Sequence, residues 1–491
     1  MIFSEFEYFV FFIFVFLSVW YIFPAVFSEQ RKEQRILHIF LLIASYYFYM
    51  SWDYRFGALI LLSTFIDFFV GSRLSNTTDQ KKRILWLNVS LISNLVFILG
   101  FFKYYNFVAT TANSVGELTA SGPFLPILNI ILPAGISFFT FQSLSYTIDV
   151  YRNEIPAERD FIKFALFVSF FPQLVAGPIV TARTFVPQLY EVKKFESIEF
   201  RIAIRFFMLG YFKKAILSDH IAPTLNVIYA DPTGLHTYAL WIGSVLGGVQ
   251  VYLDFSGYSD MAIGSALMLG YKLPTNFNLP FLATTVSGFW RRWHITLNSW
   301  LRDYIYFPMG GSRVSSARRK LNLWFTMFVS GVWHGANWTY VFWGSLNGLF
   351  YVIEEFYHDM FPKQKSDEND KPSIVQKIGN GITWIFQNFF SNLAFFLGAV
   401  FFRSANFSNA TLHIKGMFVW QEGLLRPYMW KHFLWVFFLV VFGHIAGYFI
   451  FERGKGREIS PFLEIATYPV IVLILAVLTP ENATPFIYFQ F

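Results

Sequence analysis

His334 stands inside a run from Leu321 to Ile353 that contains no Asp, Glu, Lys or Arg. A neutral imidazole, with a reference pKa of about 6.5, is the side chain best suited to take a proton near pH 7. Burial keeps it neutral, as a general base requires. Ionisable groups in apolar segments are costly and usually mark a pathway or a site. The competing reading is a core histidine bonded to a backbone carbonyl. Asn337 follows three residues later, a spacing that would share a helical face with His334, and an amide there can orient a substrate or donate to an oxyanion.

A second histidine, His294, weighs towards chemistry. It lies in "SGFWRRWHITLNSWLRDYIYFPMGG" (287–311). There Trp290, Trp293, Leu297, Trp300, Leu301 and Tyr304 recur at steps of three and four, while Arg291, His294, Asn298 and Arg302 form a polar set. The pattern predicts one helix with adjacent apolar and polar faces. Two roles fit it. Such a helix can lie at the membrane interface with Arg291, Arg292 and Arg302 towards anionic head groups. It can also wall a polar chamber whose arginines meet a phosphorylated donor such as coenzyme A. Deprotonating a hydroxyl that attacks an acyl thioester needs little beyond these groups. The remaining histidines lack such neighbours and read as structural.

The chain has no cysteine, which excludes disulfides, thiolate nucleophiles, acyl-cysteine intermediates and thiolate metal sites. No metal site is predicted, and phosphate-binding glycine loops of the usual patterns are absent.

The elements that must position these residues are membrane helices. Of 491 residues 55% are hydrophobic and 14% charged, against about 25% charged in soluble domains. Mean hydropathy is +0.45. Uncharged runs cover Tyr8–Ser28, Ile84–Phe102, Leu125–Ile148, Ile382–Phe402 and Phe433–Phe451, each near the roughly 20 residues that a spanning helix needs. The fold class is an all-α polytopic membrane protein. The expected spans are 6–27, 36–51, 55–71, 84–102, 125–148, 161–182, 202–217, 237–255, 257–271, 321–353, 382–402, 433–451 and 465–480. The segment 321–353 is too long for one straight crossing, and Gly331 and Gly335 bracket His334 as weak points. Pro172, Gly177 and Pro178 make 161–182 a candidate re-entrant segment. The charged stretch Asp359–Lys377 reads as a solvated loop separating a core of about 84–358 from C-terminal helices at about 378–491, within a single multi-pass domain over 1–491.

The net charge of +7 is no nucleic-acid signal here. Lys and Arg cluster in short segments (Arg31, Lys32, Arg35; Lys81, Lys82, Arg83; Arg318, Arg319, Lys320), the distribution of cytoplasmic loops. The N-terminus is read as a retained helix starting outside. Loops 72–83 and 149–160 then fall inside, and the polar, nearly uncharged 103–124 falls outside.

Five stretches carry a family resemblance: "LPAGISFFTFQSLSYTIDVYR" (132–152), "FPQLVAGPI" (171–179), "QVYLDFSGYSDMAIGSALMLGYKLPTNFNLP" (250–280), "FWRRWHITLNSWLRDYIYFPMGG" (289–311) and "GVWHGANWTYVFWG" (331–344). They resemble the membrane-bound O-acyltransferase family, and within it the bacterial branch typified by alginate O-acetylation. The similarity runs over most of the chain. It implies about eleven spanning helices, with re-entrant and amphipathic ones, around a central funnel that leads to His334. It implies that His334 is the general base or acyl relay and that His294 supports it. Asn337, Trp333 and Asn298 are then expected to touch substrate, with Arg291, Arg292 and Arg302 as donor contacts. The implied activity moves an acetyl group from a cytoplasmic thioester, acetyl-CoA or another, with no tightly bound cofactor. The acceptor would be a periplasmic SGNH-type acetyltransferase or the polysaccharide itself, at the bacterial inner membrane. Asp254, Ser256, Tyr258 and Asp260 also fall on a family motif. A structural role is expected there, with carboxylates paired to arginine. Two alternatives remain: D-alanyl transfer to teichoic acid from a carrier protein, and a non-catalytic polysaccharide exporter or scaffold.

Overall fold

The computed structural model of the chain describes residues 1–27, 30–119, 122–361, 374–453, 461–480 and 484–487. The central part of the expected solvated loop, 362–373, lies outside the described residues. Among the described residues the chain is helical, with no strand beyond an isolated bridge between Leu235 and Leu424. Five helical segments there are long and apolar enough to cross a membrane: Phe6–Val26, Arg55–Ser75, Gln80–Leu118, Gly381–Arg403 and Pro427–Ile450.

Large apolar side chains on these segments point outward. Phe6, Phe14, Phe65, Phe97, Ile385, Phe438 and Phe442 are all exposed, while Ser63, Thr64, Asp67 and Asn94 are fully buried. That arrangement is the reverse of a water-soluble protein and fits hydrocarbon as the surrounding solvent. Buried polar groups must then find partners inside. Asp67 accepts from Asn94 at 3.0 Å, from Thr147 at 2.9 Å and from the Ser90 hydroxyl, and Ser63 donates to Asn94 at 2.8 Å.

The chain divides into two compact units. One comprises Met1–Tyr211, Gly257–Thr275 and Pro485–Phe491; the other comprises Phe212–Ser256 and Asn276–Thr484.

In the first unit several expected spans are corrected. The basic segment 28–35 is not a loop throughout, because a helix already starts at Gln30 and runs to Met50. The expected outer loop at 103–124 is helical as far as Leu118. Conversely, 125–148 is not one span. The helix begins only at Ile136, after Gly135 at φ +71°. Pro126 and Pro133 bar a helix upstream by removing amide donors and restricting the preceding residues. The extended segment is held by amide side chains instead. Asn113 accepts from the Phe124 and Leu125 amides and donates to the Leu125 carbonyl, and Asn106 pairs both ways with Leu128. The helix from Phe161 stops at Ser169, and a buried stretch with only a short helix, Phe171–Leu174, follows around Pro172 and Gly177.

The spans expected at 237–255 and 257–271 are one helix, Thr237–Met268. Nothing in "DFSGYSD" breaks it. Gly257 instead lets another backbone come close: a Cβ on Gly210 would lie 2.5 Å from the Gly257 carbonyl oxygen.

The second unit carries both candidate histidines. Its centre is a helical hairpin. The histidine helix, Ser316–His334, is followed by an extended Gly335 and by the return helix, Trp338–Met360, which Asn337 caps by accepting from the Thr339 amide at 3.0 Å. The expected long run is thus two helices turning at Gly335–Asn337. Nineteen residues rise about 28 Å, close to a hydrocarbon thickness of about 30 Å. His334 therefore lies at the opposite end of the hairpin from Arg318, Arg319 and Lys320. At that basic end Lys320 reaches Asp359 at 2.5 Å and Arg319 reaches Glu355 at 2.7 Å.

The hairpin closes on glycines. A Cβ on Gly331 would meet the Tyr340 carbonyl and lie 2.7 Å from the Gly344 Cα; one on Gly344 would lie 2.6 Å from the Met327 carbonyl. Replacing Gly331 by alanine is expected to splay the hairpin three residues before His334. Overpacking of this kind costs about 1–3 kcal/mol. Both the melting temperature in detergent and the acyl-transfer rate should fall, and a variant unchanged in both would show that the close approach is not needed.

Candidate active site

His294 is placed by a chain that leaves the helical register. The polar set 291–302 does not lie on one helix, contrary to its spacing. A short helix, Val286–Trp290, is followed by a turn, then by His294 at φ +43°, and then by a second helix, Ile295–Leu301. Left-handed backbone at a non-glycine residue costs on the order of 1–2 kcal/mol, so something must hold it. The holder is the segment Asn276–Asn278. The Ile295 amide donates to the Asn276 carbonyl at 2.9 Å, and the Asn278 amide donates to the Arg292 carbonyl at 2.9 Å. A periodicity argument has no means of anticipating partners so far back in the chain.

Side chains from two neighbouring helices fix the strap that leads into this turn. Asn388 donates to the Phe281 and Ala283 carbonyls at 2.7 and 2.9 Å, Asn392 to the Phe281 carbonyl at 3.0 Å, and Ser391 to the Thr285 carbonyl at 3.0 Å. Glu354, on the return helix, accepts from the Ser287 amide at 3.0 Å and from its hydroxyl.

The two histidines meet. Both are buried, and their ring centroids are 6.3 Å apart. Trp333 lies beside both, at 5.9 Å from His294 and 4.9 Å from His334. Trp343 and Phe402 pack on His334 at 5.0 and 5.3 Å, and Phe255 packs edge-on against His294 at 4.5 Å. Aromatic rings thus pack around both imidazoles and set them side by side. Such a site can accept a proton from one bound hydroxyl and return it to a leaving group.

The other predicted residues fare differently. Trp333 is one of these rings. Asn337 does not share a helical face with His334, because the helix ends at His334; its amide donates to the Ala405 carbonyl at 3.2 Å while its oxygen caps the return helix. Asn298 donates to the Trp290 and Trp293 carbonyls at 2.8 and 2.6 Å, closing the end of the preceding short helix. Arg291 is exposed at that helix's C-terminus, where a cation complements the helix dipole. Arg292 donates to the Asn278 carbonyl at 3.2 Å. Arg302 is more than half exposed and paired with Asp303 at 2.8 Å. With the single-helix register gone, spacing no longer places these arginines on the face of His294.

Two residues near the site escaped the sequence reading. Asn276 contacts His294 directly, with 3.1 Å between Nδ1 and Oδ1. Arg403, next to Phe402, reaches Asn226 at 2.7 Å and Gln250 at 3.3 Å. Its one available signal was that it ends an uncharged run. Asp254 pairs with a lysine, Lys214, at 2.6 Å, and Arg403 lies within electrostatic reach of it.

The family model described as MBOAT, membrane-bound O-acyltransferase family, matches residues 5–400. A probable alginate O-acetylase AlgI from Azotobacter vinelandii is 39% identical over 359 residues, 72% of this chain and 68% of the relative. A peptidoglycan O-acetyltransferase from Helicobacter pylori is 35% identical over 433 residues, 83% of this chain and 78% of the relative. A teichoic acid D-alanyltransferase from Bacillus subtilis is 28% identical over 258 residues, covering 50% of this chain and 64% of the relative. The chain carrying this buried pair of histidines belongs to the membrane-bound O-acyltransferase family and is an O-acyltransferase embedded in a membrane by multiple helices.

Proposed function

We propose that the protein moves acetyl groups from a cytoplasmic thioester, acetyl-CoA or another acyl thioester, across the bacterial inner membrane for O-acetylation of an extracellular polysaccharide, alginate-like or another exopolysaccharide. The acceptor is the polysaccharide or a periplasmic SGNH-type acetyltransferase that passes the group on. The architecture that fits is about eleven spanning helices around a funnel. The observation that supports the reading most is the pair of buried imidazoles 6.3 Å apart. Relatives named for alginate and peptidoglycan O-acetylation, matched over most of their length, support a polysaccharide acceptor.

The chemistry is a single exchange. His334 takes the proton of the acceptor hydroxyl as its oxygen attacks the thioester carbonyl carbon. The new C–O bond forms, the C–S bond breaks, and the imidazolium returns the proton to the departing sulfur. His294 supports the reacting groups. Without a cysteine, no thioester can form on this chain itself.

D-alanyl transfer from a carrier protein is the second reading, supported by the Bacillus relative, but that match reaches only half of this chain. Deleting the gene should remove O-acetyl groups from the surface polymer while leaving polymer yield intact. Loss of polymer instead would favour an exporter, and loss of ester-linked D-alanine would favour the second reading.

Direction of transfer depends on orientation. Glu117 and Lys81 are both exposed and lie on opposite sides in the proposed topology. In this cysteine-free chain, Glu117→Cys should react with an impermeant thiol reagent from the periplasm and Lys81→Cys should not. The reverse labelling would overturn outward transfer.

A further inference from the structure

Asn276 does more than pin a turn. Its side-chain oxygen lies 3.3 Å from the Thr296 amide nitrogen, 3.0 Å from the Thr296 hydroxyl and 3.1 Å from Nδ1 of His294. A backbone amide can only donate, so the atom facing it is the amide oxygen and not the nitrogen. The same oxygen faces Nδ1. An oxygen only accepts, so Nδ1 must carry its proton. In a neutral imidazole Nε2 is then an acceptor. Asn276 is almost fully buried, which removes water as a competing partner. The left-handed backbone at His294 holds the ring in place against this oxygen.

We infer that Asn276 is a positioning residue that locks His294 as the Nδ1–H tautomer, so that Nε2 receives a hydrogen bond from a second hydroxyl of the acceptor instead of donating one to an oxyanion. The inference rests on the acetyl-transfer reading of this site. It divides the labour between the two rings: His334 takes the proton of the attacking hydroxyl, His294 orients the acceptor through a neighbouring hydroxyl, and stabilisation of the carbonyl oxygen falls to other groups.

The test is the pH dependence of acetyl transfer in proteoliposomes with acetyl-CoA and an oligosaccharide acceptor. Ionisable groups on the elements that carry or pack on the site include Arg291, Arg292, Arg302, His334, Arg403, and Asp254 with its partner Lys214. All are retained in the Asn276 and Thr296 variants. Asn276→Asp keeps an acceptor at Nδ1 and adds a negative charge, which favours the imidazolium. Because Nε2 must be unprotonated to accept, the acid limb of the rate profile should move to higher pH by about 1–2 units. Asn276→Leu removes the acceptor without adding charge and should cost about tenfold or more in turnover. Thr296→Val removes another bond to the same oxygen and should leave the limb in place.

An unmoved limb in Asn276→Asp, or Asn276→Leu within twofold of wild type, would overturn the inference. So would a limb shift reproduced by Thr296→Val, or failure of both Asn276 variants to accumulate in membranes, which would assign the residue to the fold alone. His334→Ala, run alongside, separates the two levels. Retained transfer there refutes the reading of the site; lost transfer with an unmoved limb in Asn276→Asp refutes only the role of Asn276.

Discussion

Replacing His334 by alanine should lower acetyl transfer by about 10²–10⁴-fold, the range set by loss of a positioned general base. Protein level and polymer yield should stay near normal, because the substitution removes a ring whose neighbours are other rings. Trp333, Trp343 and Phe402 enclose it at 4.9, 5.0 and 5.3 Å. The cavity left behind costs stability, and the comparison that controls for it is His334→Gln. Glutamine fills part of the space and can hydrogen-bond, but it cannot take a proton near neutral pH. A purely structural histidine predicts that glutamine rescues. A base predicts that both variants are equally inactive although His334→Gln melts near the wild-type temperature. Retention of more than about a tenth of the activity in either would count against proton transfer at this position. Trp333→Phe gives a graded version of the same test, since it preserves a ring beside both histidines and should cost far less than either change at His334.

The parts of the molecule that were legible in the sequence share one property: the signal was local. Long uncharged runs show a membrane protein because hydrocarbon tolerates few charges. Gly335 beside a buried histidine shows a break because glycine weakens a helix wherever it stands. What was not legible depended on partners far away in the chain. Arg291, His294, Asn298 and Arg302 keep a helical spacing, yet the backbone between them is drawn out of the helix by Asn276 and Asn278. Polar, nearly uncharged residues at 105–118 resemble a loop, yet that segment is a helix whose Asn106 and Asn113 side chains bind an extended strip of backbone. Asn337 and Asn298 have the chemistry of substrate ligands, but their amides serve helix ends. Amide side chains serve this fold as substitutes for backbone partners, because in a membrane every exposed carbonyl or amide must be answered from within the protein. Sequence spacing cannot distinguish that use from catalysis.

The same constraint sets the second large effect expected, at Lys214. Its ammonium lies 2.8 Å from Asp219, 2.6 Å from Asp254 and 2.9 Å from the Thr484 carbonyl, with all three charged side chains almost completely buried. The Thr484 hydroxyl also bonds to Asp219. One cation thus answers two carboxylates and ties down the chain at Thr484. A buried ion cluster adds little net stability when intact, because desolvation offsets attraction, but removing one partner strands the others and costs about 3–5 kcal/mol. Lys214→Met should therefore lower the melting temperature of the detergent-solubilised protein by about 3–5 °C, with reduced accumulation in membranes. The distinguishing variant is the triple change Lys214→Met, Asp219→Asn, Asp254→Asn. It removes all the charges while keeping shape and part of the hydrogen bonding. If the cluster is a structural pin, the triple variant should recover most of the stability that Lys214→Met loses, and acetyl transfer should return with it. If the triple variant folds but transfers nothing, the charges themselves act in the reaction and the structural assignment of Asp254 fails. If Lys214→Met alone melts like wild type, the two carboxylates do not depend on the lysine, and the cluster is not what holds Thr484 in place.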